Sequence, residues 1–92
     1  MQMEQQKEYY AEVAKQLRQE LQAIIGEQVM HILGRPDGLH RVQVRELWED
    51  CYRVNVFTGP DAASAIVAHS YFLVTDGEGN IITANPKITK QH

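Results

Sequence analysis

Two runs of alternating residues, Arg41–Trp48 (RVQVRELW) and Tyr52–Thr58 (YRVNVFT), constrain this chain more than any other feature. Val42, Val44 and Trp48 share one parity, with Glu46 the exception. Tyr52, Val54, Val56 and Thr58 share a parity on the second run. Side chains on a strand point alternately to opposite faces, so each run has one face for a core and one for water. Two such runs in succession predict neighbouring antiparallel strands. A two-residue Glu49-Asp50 loop pairs Val44 with Asn55 and mixes apolar with polar. A three-residue loop, Glu49-Asp50-Cys51, pairs Trp48 with Tyr52, Val44 with Val56 and Val42 with Thr58, which keeps one kind of residue on each face. The odd-length loop is the one expected.

What precedes these strands reads as helix. Across residues 4–33, Tyr10, Val13, Leu17, Leu21, Ile24, Ile25, Val29, Ile32 and Leu33 recur at steps of three and four. Gly34 before Arg35-Pro36 is a stop signal. Gly26 costs roughly 1 kcal/mol in a helix interior and marks where the segment would divide into two helices. The competing reading makes 28–33 a fifth strand, hairpinned through Gly34–Gly38 onto Leu39. Pro36-Asp37-Gly38 is a turn, because Pro presets one dihedral and Gly accepts a positive one.

After the hairpin, Gly59–Ala65 reads as a loop, with one turn capped by Asp61. Ile66–Thr75 is a long strand, Asp76-Gly77-Glu78-Gly79 a turn, and Asn80–Ala84 a last strand ended by Pro86. The expected fold is two-layer α+β. A long N-terminal helix packs on a four-stranded antiparallel meander. This arrangement resembles the cystatin type, a likeness of architecture that carries no function. The chain, 1–92, is a single domain, with 1–12 overhanging or frayed and 87–92 a flexible tail. Thirty helical residues extend about 45 Å, whereas strands of eight to ten residues are about 30 Å long and four of them about 15–20 Å wide. A straight helix therefore overhangs the sheet, or it breaks near Gly26.

Composition narrows the function classes. At 92 residues, 43% hydrophobic and 23% charged, the chain is globular with a small core that a second subunit would help. The net charge of −3 divides into −2 over 1–33, zero over 34–58 and −1 over 59–92. No part is basic overall, which counts against a large nucleic-acid footprint. One cysteine excludes an internal disulfide and fits a reducing compartment. The first thirty residues are too polar for a signal peptide, and no apolar run is long enough to span a bilayer. The expected location is cytoplasmic.

No catalytic constellation stands out. Cys51, with His40 or His69 as base, has Glu49 and Asp50 beside it to disfavour a thiolate. His31, His40, His69 and His92 lack metal-ligand spacing. Asp76–Asn80 imitates a calcium loop but has Ile81 where that loop needs Gly and Lys87 where it needs Glu. Gly34–Gly38 is no phosphate loop. No catalytic residue, metal or cofactor is expected. Leu73–Pro86 (LVTDGEGNIITANP) resembles the opening strand pair of a PAS sensor domain over fourteen residues, and no ligand or sensor function is carried over from it.

Two surfaces remain. The outward parity of the hairpin holds Arg41, Gln43, Arg45, Arg53 and Asn55, joined by His69 and Tyr71 if the third strand has the matching parity. Arginines and aromatics on an open sheet suit single-stranded nucleic acid. The plainer alternatives are a solvated face, its arginines paired to acids across the strands, or a face for a partner protein. Trp48, Tyr52, Phe57, Tyr71 and Phe72 are expected in the core. Tyr9 and Tyr10 sit on the overhanging helix end, where exposed aromatics suit self-association. The leading expectation is a small non-enzymatic protein-interaction module that forms a homodimer or binds another protein. Weak nucleic-acid binding by the sheet face is the alternative, and a small-ligand or enzymatic pocket between helix and sheet is the third. No membrane partner is expected.

Overall fold

The computed structural model describes the backbone of residues 2–92 and the side chains of residues 8–92. One α-helix, α1 (Gln2–Leu33), precedes β1 (Leu39–Trp48), β2 (Cys51–Thr58), β3 (Ile66–Thr75) and β4 (Ile81–Asn85). The strands form one antiparallel sheet in the order β1-β2-β3-β4. This is the expected meander, and α1 lies on one of its faces.

The contact between the layers is made by the C-terminal third of α1. Ile25, Val29 and Leu33, four residues apart, stack along one helix face and are fully buried. They meet Tyr52, Val54, Val56, Tyr71 and Leu73 in one cluster, with Ile88 closing an edge. Each fully buried aliphatic side chain contributes roughly 1.5–3 kcal/mol. That burial explains why α1 does not break at Gly26 and why 28–33 is helix, not strand: the propensity cost of one glycine is smaller than the apolar surface a straight helix covers there. A Cβ built on Gly26 would meet Val44 Cγ2 at 3.4 Å and Val42 Cγ1 at 3.7 Å, ordinary contact distances. Gly26→Ala is therefore expected to raise stability by about 0.5–1 kcal/mol, read as a higher urea midpoint with an unchanged slope.

Both ends of the packed segment are fastened. Gln28 Nε2 donates to the Gly79 carbonyl at 2.6 Å, and its Oε1 accepts from Ile81 N–H at 3.3 Å. One side chain so ties α1 to the turn before β4. Leu21 lies on the same turn, where a Cβ at Gly79 (φ 87°) would come within 2.7 Å of its Cδ1. The turn itself is organised by Asp76, whose carboxylate accepts from Glu78 N–H, Asn80 N–H and Asn80 Nδ2. The Asn80 side chain above all, then the backbone donors, holds the Asp76 carboxyl below its ordinary pKa. At the other end, Gly34 (φ 85°) stops the helix and donates to the Met30 carbonyl at 2.9 Å. Residues 87–92, expected as a flexible tail, pack back over this stop. Ile88 is buried, and Gln91 N–H and His92 N–H donate to the Leu33 carbonyl at 2.8 and 3.2 Å. Those bonds satisfy a carbonyl that the helix end leaves without an internal partner.

The first hairpin differs from expectation in its turn and, by two residues, in its register, so Val44 does not pair with Val56 or Val42 with Thr58. Glu49-Asp50 is a two-residue loop, with Asp50 at φ 60°. The register pairs Val42 with Val56, Val44 with Val54 and Glu46 with Tyr52, then slips so that Trp48 opposes Cys51. The extra residue that keeps apolar opposite apolar is a bulge at Leu47, not a third loop residue. Face parity is preserved up to Glu46 and inverted for Trp48. The Asp50 carbonyl then accepts Thr75 N–H at 2.8 Å, which anchors this turn to the end of β3.

Candidate functional site

Sheet register decides which side chains are available. Tyr52 opposes Leu73, Val54 opposes Tyr71 and Val56 opposes His69, so all six face the helix layer. His69 and Tyr71 therefore do not join the arginines. His69 stacks on the Tyr71 ring, with centroids 6.3 Å apart, and its Nε2 lies 3.0 Å from Nε2 of His92. Burial pushes the Tyr71 phenol up; the same cause, followed by the Glu46 and Asp50 carboxylates, raises that of Tyr52.

Among the described residues, no layer covers the other parity of the sheet. Arg41, Gln43, Arg45, Arg53 and Asn55 all lie on it, as their alternation predicts. Through the middle runs a polar ladder: Ser70 Oγ donates to Asn55 Oδ1 at 2.6 Å, and Asn55 Nδ2 donates to Gln43 Oε1 at 3.4 Å. The arginines do not face acids across the strands. Arg41 opposes Phe57, Arg45 opposes Arg53, and Arg53 opposes Phe72 on its other side. The Arg41 guanidinium sits 5.1 Å from the Phe57 centroid, and that of Arg53 sits 6.0 Å from Phe72, both within cation–π range.

Three aromatics expected in the core are on this open face. The Leu47 bulge turns Trp48 outward, 61% exposed, with its ring 5.8 Å from Phe72. Phe57 follows the parity of Arg53 and Asn55, and that parity, not its apolar side chain, sets its face. Phe72 depended on the register of β3, which the 59–65 loop hides. Cys51 is half-buried on this same face, opposite Trp48 and Val74. His40 lies at the far end of the hairpin and His69 on the opposite face, so neither serves Cys51 as a base. Among the described residues, no group of three or more His, Cys, Asp or Glu side chains gathers to hold a metal.

The helix offers the second surface. From Glu8 to Glu20, every side chain is exposed except Val13 and Ala14, which are half-buried. Tyr9 and Tyr10, both 66% exposed, pack edge to face with ring centroids 5.8 Å apart. Tyr10, Val13, Leu17, Leu21 and Ile24 fall at steps of three, four, four and three, and so form one stripe about 21 Å long. Leu17 is 59% exposed and Ile24 43%. Between α1 and β1, Ala23, Gly26, Met30, Leu39, Val42 and Val44 line an open trough. It has the shape of a surface furrow and not of an enclosed ligand cleft. No helix is long and apolar enough to cross a membrane among the described residues. Comparison of the chain with protein-family models, characterised proteins and solved structures finds no match.

Proposed function

We propose that this chain is a small, non-enzymatic protein-interaction module that pairs with a second copy of itself through α1. The observation that carries the reading is the unbroken helix. It leaves Tyr10, Val13 and Leu17 standing beyond the sheet, with Tyr10 66% and Leu17 59% exposed, in line with Leu21 and Ile24 beside the Gly79 turn. The stripe is self-complementary. Two copies laid antiparallel about a two-fold axis at Leu17 bring Tyr10 to the partner's Ile24, Val13 to the partner's Leu21, and Leu17 to the partner's Leu17. In a two-fold interface each contact off the axis occurs twice, so one apolar stripe supplies both halves of the surface. Close helix pairs of this kind bury what neither copy can bury alone. A cytoplasmic setting suits the reading, since the lone half-buried Cys51 would there stay reduced.

The two-fold centre can be tested by position-specific cross-linking. In a Cys51→Ser background, Leu17→Cys is expected to give a covalent dimer with a short bis-maleimide. Gln19→Cys, on the other side of the helix, is expected to give little. Equal cross-linking at both positions, or none at either, would overturn the antiparallel arrangement.

A further inference from the structure

We propose that the uncovered face of the sheet binds single-stranded nucleic acid, with Arg41, Arg45 and Arg53 meeting phosphates and Trp48 stacking on a base. This surface is separate from the helix stripe, so it stands or falls independently of the dimer. Three observations support it. The first is charge placed against the interest of the fold. Arg45 and Arg53 are directly opposed across β1 and β2, and like charges in that relation destabilise a sheet. No carboxylate faces any of the three arginines across the strands, and an incoming polyanion would supply what the sheet lacks.

The second is the aromatic surface between the charges. Trp48 is the most exposed aromatic of the sheet, braced by Phe72 at 5.8 Å, and Phe72 is in turn under Arg53. Phe57 lies four residues along β2 from Arg53, about 13 Å away, beneath Arg41. Arginine alternating with rings along one groove is the arrangement that holds a strand by its backbone and its bases together. The third is the central ladder of Gln43, Asn55 and Ser70, half-buried amides and a hydroxyl that can turn to base edges. The acids near this face are at its border: Glu49 and Asp50 occupy the turn beyond Trp48, Asp61 caps the loop whose Ala62 and Ala65 lie beside Arg41 and Phe57, and Glu46 points to the helix side. An acidic protein segment would satisfy the charge but leaves Trp48 without a planar partner, so nucleic acid is the better fit.

The test uses the full chain and a fluorescein-labelled oligothymidylate, followed by anisotropy across a salt series and by intrinsic fluorescence. The chain has a single tryptophan, so its emission reports this face alone. Expected are binding that weakens with salt at a log–log slope of about −2, the value for three phosphates on a single strand, and quenching of Trp48. In Arg45→Ala/Arg53→Ala the affinity should fall at least about ten-fold and the slope to about −0.7. That variant removes two opposed cations and is expected to stay folded, which circular dichroism checks. Trp48→Leu should weaken binding about five-fold or more while leaving the slope unchanged. Binding at low salt that is absent, or unchanged in the arginine variant, would overturn the proposal. So would equal binding of polyglutamate without quenching, which would point to an acidic protein partner.

Discussion

Leu17→Glu is expected to convert the dimer into a monomer that keeps its fold. The substitution acts at the one position where the proposed axis brings a side chain against its own copy. Two leucines worth roughly 1.5–3 kcal/mol each on burial are lost, and two carboxylates face one another in their place. The dissociation constant should rise by at least about a hundred-fold, since each 1.4 kcal/mol is a factor of ten. Within one chain, Leu17 is 59% exposed and contributes nothing to the core cluster. Glu and Leu have similar helix propensity, so the monomer should show unchanged helicity. Gln19→Glu adds the same charge to the opposite side of α1 and should leave the dimer intact. Sedimentation velocity on both variants separates a specific loss from a general effect of negative charge.

Leu73→Ala should have the largest effect on stability. Leu73 is fully buried in β3, opposite Tyr52 on one side and Ala84 on the other, beneath the Ile25–Val29–Leu33 face of α1. Removing three carbons there leaves a cavity that fixed strands on both sides cannot collapse, at a cost of about 2–5 kcal/mol. A chain of 92 residues has a total of roughly 5–14 kcal/mol to lose. Urea unfolding of both chains at one fixed protein concentration keeps the contribution from association the same when their dimerisation is equal. Val67→Ala, on an exposed site of the same strand, should stay within about 0.5 kcal/mol. Similar losses at both positions would mean that the core does not sit between α1 and the middle of the sheet.

The architecture was legible because its periodicities are unmixed. Steps of three and four run from Tyr10 to Leu33, and steps of two cover each side of the first hairpin, so helix and meander follow with few alternatives. What the alternation could not carry was any event that adds or hides a residue. The Leu47 bulge leaves the apolar pairing of Val42, Val44, Val54 and Val56 intact while inverting Trp48, and no glycine marks it. The Gly59–Ala65 loop conceals the parity of β3, so His69, Tyr71 and Phe72 could not be assigned to faces. The arginine face was readable from Arg41, Arg45 and Arg53 themselves. Its aromatic half was not, because it depends on that bulge and that loop. Gly26 carries a real local cost, but it is small beside the burial of Ile25 and Val29 on either side of it. The packing of 87–92 had no sequence signal beyond the single apolar Ile88.

The most direct test of the central claim is the mass of the unaltered chain in solution, by light scattering from low to high micromolar concentration. Pairing through α1 predicts a species of twice 10.5 kDa that dissociates only at the dilute end. A mass of 10.5 kDa at every concentration would show that the stripe from Tyr10 to Ile24 does not pair two copies.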